Sequence, residues 1–274
     1  MYEVYGIIGD PVDHSLSPVM HNVAFREKNI KAVYGAFRVS SSDLAKAVEG
    51  IRALNIKGVS VTIPHKEKVM EYLEEIDEIA YEIGAVNTIV NENGVLKGYN
   101  TDWIGVLKAF KENGVEIQDK KVVIIGAGGA SKAVVYALIK GGAEKIFVYN
   151  RTFEKAKFLE KKFGVIAKPW EELNSANGDI IIQTTSVGLK SWESPVEERV
   201  ISRFKVAMDI VYLPLETKFL SLAKKHGKII DGLQMLLYQG VEQFKLWTGI
   251  EPPVKLMEKA IYEKVKNLEK EILK

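Results

Sequence analysis

Apolar positions along this chain follow two rhythms in turn, short β-branched runs and longer stretches spaced three and four apart, which predicts alternating strands and helices. Residues 4–9 read as a first strand. After a loop, Ser17 and Pro18 open a helix that buries Met20, Val23 and Ala24. A strand at about 33–39 leads to a helix capped by Ser41 or Ser42, with Leu44, Ala47, Val48 and Ile51 on one face, and a strand over 59–63 stops at Pro64. An acid-rich stretch to Ile83 reads as helical, residues 85–99 as a hairpin turning at Asn93-Gly94, and Asp102 as the cap of a helix through Phe110. Residues 121–125 form a β-branched strand entering a glycine-rich turn, followed by a helix at about 130–140 and a strand at 145–150. Further strand–helix units run through 179–184, 206–210 and 228–230, and two helices close the chain. The first of these, over 232–247, must lie between the domains or return to the first, because its own sheet is already complete.

The 274 residues, 47% hydrophobic, are enough for two cores. The 38 basic and 36 acidic side chains nearly cancel without single-sign blocks, so no nucleic-acid footprint is expected and the partner is a small molecule. With no cysteine, disulfides, thiolate zinc sites and cysteine nucleophiles are excluded, and His14, His21, His65 and His226 lack metal-ligand spacing, so no metal is expected. No apolar stretch approaches the ~20 residues of a bilayer span, and the start of the chain lacks signal-peptide character, so no membrane association and a cytoplasmic location are expected.

The segment V-V-I-I-G-A-G-G-A-S-K-A puts Gly126, Ala127, Gly128, Gly129 and Ala130 at a strand-to-helix turn, where main-chain N–H groups and the helix dipole favour a pyrophosphate. A plain tight turn is the alternative, and the spacing departs from the regular dinucleotide fingerprint. Where NAD enzymes commonly place a carboxylate for the ribose hydroxyls, this chain has Asn150, Arg151 and Thr152, with Lys155 one turn on. Basic groups there pair with a 2′-phosphate, which favours NADP; Thr152 as a simple helix cap would not explain the missing acid. The expected fold class is therefore α/β with two domains separated by a deep cleft. One is an N-terminal, mostly parallel α/β substrate domain over 1–118, completed by closing helices at 233–274; the other is a Rossmann-type NADP-binding domain over 119–232.

In the first domain, polar residues gather where strands end: Ser15 to Ser17, Ser60 to Lys66, Asn87 to Thr88 and Asn100 to Asp102. Ligands of open α/β sheets bind at such ends. Ser15 and Ser17 suit a carboxylate at a helix start, although a loop and an N-cap serve equally well. Period-two alternation puts Ser60 and Thr62 on one face. Lys66 is electrostatically misplaced near a helix N-terminus, yet taken singly it reads as a surface lysine and Asp102 as a cap.

The segments G-D-P-V-D-H-S-L-S-P-V-M-H-N, V-T-I-P-H-K, G-A-V-N-T, G-Y-N-T-D-W-I-G, G-A-G-G-A-S-K-A, N-R-T, D-I-V-Y-L-P and D-G-L-Q-M-L-L-Y-Q, in this order, closely resemble those of shikimate dehydrogenases. The resemblance implies reversible, NADPH-dependent reduction of 3-dehydroshikimate to shikimate in aromatic amino-acid biosynthesis. It implies Lys66 and Asp102 as the catalytic pair, and Ser15, Ser17, Ser60, Thr62, Asn87, Tyr212 and Gln239 as further substrate contacts. Ile210 through its backbone, Glu78 and Gly232 fall at additional cofactor positions, and the assembly implied, where there is one, is a homodimer. Three positions depart from the commoner family pattern: Ser60 stands for Asn, Gln183-Thr184 begins the segment usually N-A-T-S, and Gln234 stands for Gly. An NAD-using quinate/shikimate dehydrogenase is the nearest rival, opposed by Arg151 and Lys155, and a noncatalytic NADP-binding protein is opposed by the retained Lys66 and Asp102.

Overall fold

The computed structural model describes residues 2–272 and divides into two compact units. The first holds the chain up to Asp102 together with Gln239–Lys264; the second holds Trp103–Tyr238 and the chain from Val265. In order, the first part of the chain forms β1 (Glu3–Gly9), α1 (Ser17–Glu27), β2 (Ala32–Arg38), α2 (Leu44–Ala53), β3 (Gly58–Val61), a 3-10 helix (Lys68–Tyr72), β4 (Glu75–Ile76), α3 (Glu78–Ile83), β5 (Thr88–Glu92), β6 (Val95–Tyr99) and α4 (Asp102–Glu112). The sheet order is β2-β1-β3-β5-β6-β4, with β5 antiparallel to both β3 and β6 and the remaining pairs parallel. The expected hairpin thus closes a mostly parallel sheet. One face of it packs Ile8, Val59, Val61 and Ile89 against Val48 and Ile51 of α2. Tyr5, His21, Phe25, Tyr34, Phe244 and Trp247 form a separate aromatic cluster within the same unit.

The rest of the chain forms β7 (Lys121–Ile125), α5 (Gly129–Lys140), β8 (Lys145–Tyr149), α6 (Phe153–Phe163), β9 (Ile166–Lys168), a 3-10 helix (Trp170–Ser175), β10 (Ile180–Gln183), α7 (Glu198–Ile201), β11 (Val206–Asp209), α8 (Lys218–Ala223), β12 (Lys228–Ile230), α9 (Gly232–Thr248) and α10 (Val254–Ile272). Its sheet is wholly parallel in the order β12-β11-β10-β7-β8-β9, the doubly wound arrangement whose strand order reverses at β7 and β10. Alternate residues feed opposite cores: Val122, Ile124, Ile180 and Ile182 on one face, Val123, Ile125 and Ile181 on the other. Burial on both faces is why these strands are unbroken apolar runs.

The divisions at 102/103 and 238/239 differ from the expected 118/119 and 232/233. Val106, Ala109 and Phe110 of α4 and Met235 of α9 pack into the core around Val122 and Ile124, which places them with the second sheet. From Gln239 onward α9 returns to the first unit.

Two further expectations change. The acid-rich stretch before Ile83 is not one helix, because β4 interrupts it: Glu75 and Ile76 pair with Lys97 and Gly98, and the Glu74 carboxylate accepts the Leu96 N–H at 2.8 Å. In α2 neither Ser41 nor Ser42 caps the helix. Asp43 holds the N-cap position without a side-chain cap bond, and its carboxylate is occupied by Ser40 and Lys46.

Candidate active site

At the end of β3 the chain turns through a cis Ile63-Pro64 bond to Lys66, whose main-chain carbonyl accepts the Val86 N–H at 2.8 Å. This fixes the lysine backbone beside the start of β5. Lys66 is followed by the 3-10 helix rather than an α-helix, and its ammonium meets the Asp102 carboxylate, Nζ to Oδ2, at 2.6 Å. The two side chains are 17% and 6% exposed, so the pair is held in a largely dehydrated place. Charges 36 positions apart are joined there by the return of β6 to the edge of β5.

Asp102 is free for this partner because it does not cap. Asn100 takes that work, its Oδ1 accepting the Asp102 N–H at 3.0 Å, while its own Nδ2 donates to the Ala85 carbonyl. Asp102 occupies the first turn of α4 instead. Its other oxygen, Oδ1, accepts Asn87 Nδ2 at 2.8 Å. Asn87 Nδ2 also reaches Thr101 Oγ1 at 3.0 Å and Gln239 Oε1 at 3.3 Å, and Asn87 Oδ1 accepts the Thr101 N–H at 2.8 Å. Four of the predicted residues, Lys66, Asn87, Asp102 and Gln239, are therefore one hydrogen-bonded group.

The serines behave differently from caps. Helix α1 begins at Ser17 with Leu16 in the cap position, and Ser15 Oγ accepts the Ser17 N–H at 3.3 Å, leaving the Ser15 hydroxyl hydrogen available. Ser17 is buried, at the Tyr34 hydroxyl. Ser60 is also buried and fully engaged, receiving the Tyr34 O–H at 2.6 Å and donating to Gln243 at 2.8 Å. Thr62 is half-buried just past β3, its methyl group filling the space above Gly9. Glu78 is exposed at the start of α3, where Asp77 caps the helix through the N–H groups of Ile79 and Ala80.

In the second unit the turn after β7 is shaped by Gly126, whose φ of +113° is open to glycine and whose missing Cβ would stand 2.5 Å from Thr184 Oγ1. Thr184 donates to the Ile125 carbonyl at 2.8 Å, so Ser131 donates to Thr184 at 2.7 Å and accepts the Gly128 N–H at 3.0 Å. Ala127 is buried under the turn, Gly128 is exposed with nothing within 4 Å of where a Cβ would lie, and Gly129 and Ala130 open α5. First-turn N–H groups have no intrahelical acceptor. At the end of β8, Asn150 Nδ2 donates to the Thr152 carbonyl at 2.8 Å, and Thr152 occupies the α6 cap position without a side-chain bond. Arg151 and Lys155 are exposed and, among the described residues, have no carboxylate partner. A flat glycine turn, a helix start and two unpaired cations fit a dinucleotide carrying an extra phosphate.

Beyond β11, Ile210 and Tyr212 are half-buried, and burial pushes the Tyr212 phenol up to about 12, so it stays a neutral donor. Gly232 has a plain packing role: a Cβ there would lie 2.5 Å from the Ile210 carbonyl oxygen and 2.7 Å from that of Val211. Neither neighbour is a flexible side chain. Gly232→Ala is expected to cost about 1–3 kcal/mol of stability by forcing α9 off β11; an unchanged denaturation midpoint would show that the contact yields freely.

Three family models match the chain: the shikimate dehydrogenase substrate binding domain over residues 7–89, the shikimate / quinate 5-dehydrogenase model over 108–210, and the shikimate 5′-dehydrogenase C-terminal domain over 232–262. Shikimate dehydrogenase (NADP(+)) of Pyrococcus abyssi is 51% identical over 266 residues, 96% of this chain and 98% of that protein. The chain belongs to the shikimate dehydrogenase family. The corresponding enzyme of Aquifex aeolicus is 47% identical over 94% of this chain and 96% of its own. Among solved structures, a shikimate dehydrogenase in complex with NADP+ superposes with a TM-score of 0.89 at 44% identity, covering 96% of both chains. That of Thermus thermophilus, in complex with NADP(H) and shikimate, gives 0.88 at 36% identity over 95% of this chain and 99% of its own.

Gln183, Thr184, Gln234 and Ser60 each have a local structural role. Gln183 donates to the Thr185 and Val187 carbonyls and accepts the Thr185 N–H, so it holds the loop that follows β10, while Thr184 ties that loop to the glycine turn. Gln234 accepts Asn113 Nδ2 at 2.8 Å, joining the start of α9 to the segment after α4. Ser60 belongs to a relay with Tyr34 and Gln243. Gln243, Thr88 and Tyr34 were not among the residues expected from sequence; Gln243 lies four residues after Gln239, a spacing that shares one helix face and was the available signal.

Proposed function

We propose that the chain is an NADP-dependent oxidoreductase acting on a CH–OH group, which reversibly reduces 3-dehydroshikimate to shikimate in aromatic amino-acid biosynthesis. The observation that carries the site assignment is the Lys66–Asp102 pair, half-enclosed and continued by Asn87. NADP, when bound, supplies or receives the hydride. Lys66 Nζ gives a proton to the oxygen that was the ketone, neutralising charge where it develops, and in the oxidative direction the neutral amine takes it back. Asp102 holds Nζ through Oδ2 and has lone-pair capacity left for a substrate hydroxyl. Asn87 and Gln239 bind ring hydroxyls, and Thr62 contributes a further hydroxyl at the strand end. Ser15 and Ser17 receive the carboxylate, the free Ser15 O–H being the first donor.

For the cofactor, the turn from Gly126 to Ala130 takes the pyrophosphate, and Arg151 and Lys155, with Asn150 and Thr152 shaping the approach, take the 2′-phosphate. Tyr212 is a further substrate contact, and Ile210 through its backbone, Gly232 and Glu78 are further cofactor contacts. Apart from Tyr212 and Glu78, the residues assigned to the substrate belong to the first unit and those assigned to the cofactor to the second. Among the described residues no helix is long and apolar enough to cross a membrane, and we infer a cytoplasmic enzyme; light scattering of the purified chain reads the homodimer expectation.

The decisive assay uses the purified full chain with shikimate or quinate and NADP+ or NAD+. NADPH formation with shikimate is expected; its absence overturns the assignment, and preference for quinate with NAD+ replaces it with the broader quinate/shikimate activity. Arg151→Ala is expected to raise KM for NADP+ by about 10- to 100-fold, the worth of a charge-assisted bond, and to leave KM for NAD+ nearly unchanged. Equal effects on both cofactors would remove Arg151 from the 2′-phosphate.

A further inference from the structure

We propose that Gln243 is a positioning residue for the active site, fixing the orientation of the Asn87 amide, and through it the Asp102 carboxylate, by a one-way chain of hydrogen bonds that begins at Tyr34. The inference rests on the roles given above to Lys66 and Asp102.

The direction of every bond follows from groups that can play only one part. The Asn87 main-chain carbonyl is solely an acceptor. Gln243 approaches it at 3.1 Å and Thr88 Oγ1 at 3.0 Å with the same atom, which must therefore be Nε2. Its other end, Oε1, accepts only, so Ser60 spends its single proton on it at 2.8 Å. Ser60 must then receive the Tyr34 O–H at 2.6 Å. On the other side, Thr88 accepts from Gln243 and so donates to Asn87 Oδ1 at 2.7 Å. The Thr101 main-chain N–H makes the same demand of Oδ1, at 2.8 Å. Asn87 is thereby left with Nδ2 toward Asp102 Oδ1 at 2.8 Å, and Asp102 Oδ2 toward Lys66.

The origin of the chain is itself clamped. Asn22 pairs with both the N–H and the carbonyl of Tyr34 at 2.9 Å, and the phenol ring stacks on His21 at a centroid distance of 4.7 Å. Burial raises the Tyr34 phenol well above the usual tyrosine range, so the first proton of the chain is not lost. Ser60, Thr88, Asn87 and Gln243 are all buried, with no bulk water to substitute for a missing partner. An inverted Asn87 amide would set its oxygen against the Asp102 carboxylate and its nitrogen against the Thr101 N–H. Gln243 is what makes that inversion costly from the far side.

The relay also assigns Ser60: with its proton committed to Gln243, it supports the amide and has none to give to substrate.

Two variants test the proposal in the full-length enzyme, with wild-type turnover of shikimate and NADP+ measured first. Gln243→Leu keeps the bulk and removes every bond, and is expected to lower kcat/KM for shikimate by about 10- to 100-fold with KM for NADP+ within twofold of wild type. Gln243→Glu while protonated keeps one donor for the Asn87 carbonyl and the acceptor for Ser60, giving up only the second proton that Nε2 donates to Thr88; once ionised it presents oxygen to the Asn87 carbonyl, beside the buried His21 ring that also faces this position. Its kcat/KM for shikimate is expected to fall with rising pH through a titration that the wild type lacks and to recover on the acid side. A merely structural glutamine would lower stability without a new titration of activity. A Gln243→Glu profile parallel to wild type, or Gln243→Leu kinetics within twofold of it, overturns the proposal alone; an inactive wild type overturns the functional assignment along with it.

Discussion

Replacing Lys66 with Ala is expected to lower kcat for shikimate oxidation by about 100- to 10,000-fold, the range over which a positioned general acid–base contributes. The change should fall on kcat rather than on KM for NADP+, because the Lys66 ammonium is bonded within the first unit to Asp102. The backbone there is held by the Val86 N–H and is not disturbed by truncation. Loss of the cation leaves Asp102 buried with Asn87 as its remaining side-chain donor, so some stability is lost as well. Asp102→Asn separates the two effects: its shape is preserved, but an amide that still accepts from Asn87 must turn its NH2 toward the ammonium. It is expected to lower kcat by about 10- to 100-fold while costing less stability than Lys66→Ala. Near-normal turnover of Lys66→Ala with NADP+ would sink the proton-transfer role and leave family membership untouched.

The second sheet was readable in advance because strands buried on both faces must be continuous apolar runs. Residues 121–125 and 180–183 look like nothing else. By contrast β4 was hidden: a two-residue strand inside a run of acids owes its existence to Lys97 and Gly98 and to the Glu74 side chain, none of which is local to it. The short β9 was missed for the same reason, its three residues being paired only by β8.

The active-site pair illustrates the same limit in chemistry. Considered singly, Lys66 read as a solvated lysine and Asp102 as a cap, because neither signal contains the partner 36 residues away. The resemblance to a known family named both, and the geometry explains why the cap reading fails: Asn100 satisfies the helix start and releases the aspartate. Ser17 followed the reverse course, since Pro18 does mark a helix start but the serine lies one position inside it, buried. Motif spacing reported which residues share a segment. It could not report Ser60 facing Gln243, a contact between residues 183 positions apart.

His21 and Asp209 are expected to give the stability of the protein two pH dependences of opposite sign. His21 is fully buried in the aromatic cluster, where the Gln243 side chain is a polar neighbour of its ring but offers too little to offset the loss of water. Burial lowers its pKa from 6.5 to about 3. Between those values the unfolded chain binds a proton that the folded one refuses, so folding stability rises with pH at about 1.4 kcal/mol per unit. Asp209, at the end of β11, accepts the Thr217 hydroxyl at 2.7 Å and the Val211 N–H at 2.9 Å, yet burial still raises its carboxyl from 3.8 to about 7. Here the folded chain holds the extra proton, and stability falls with rising pH by a similar slope. The histidine belongs to the first unit and the aspartate to the second, so each slope marks the unfolding of its own unit, and in a single whole-chain transition the two cancel. Denaturant unfolding at several pH values between about 4.5 and 6 resolves them by difference. His21→Leu should shift the slope of stability against pH downward, and Asp209→Asn, which keeps the Val211 bond and reverses the donor in the Thr217 bond, should shift it upward. Variant slopes indistinguishable from that of the wild type would mean that neither group is held away from its ordinary titration.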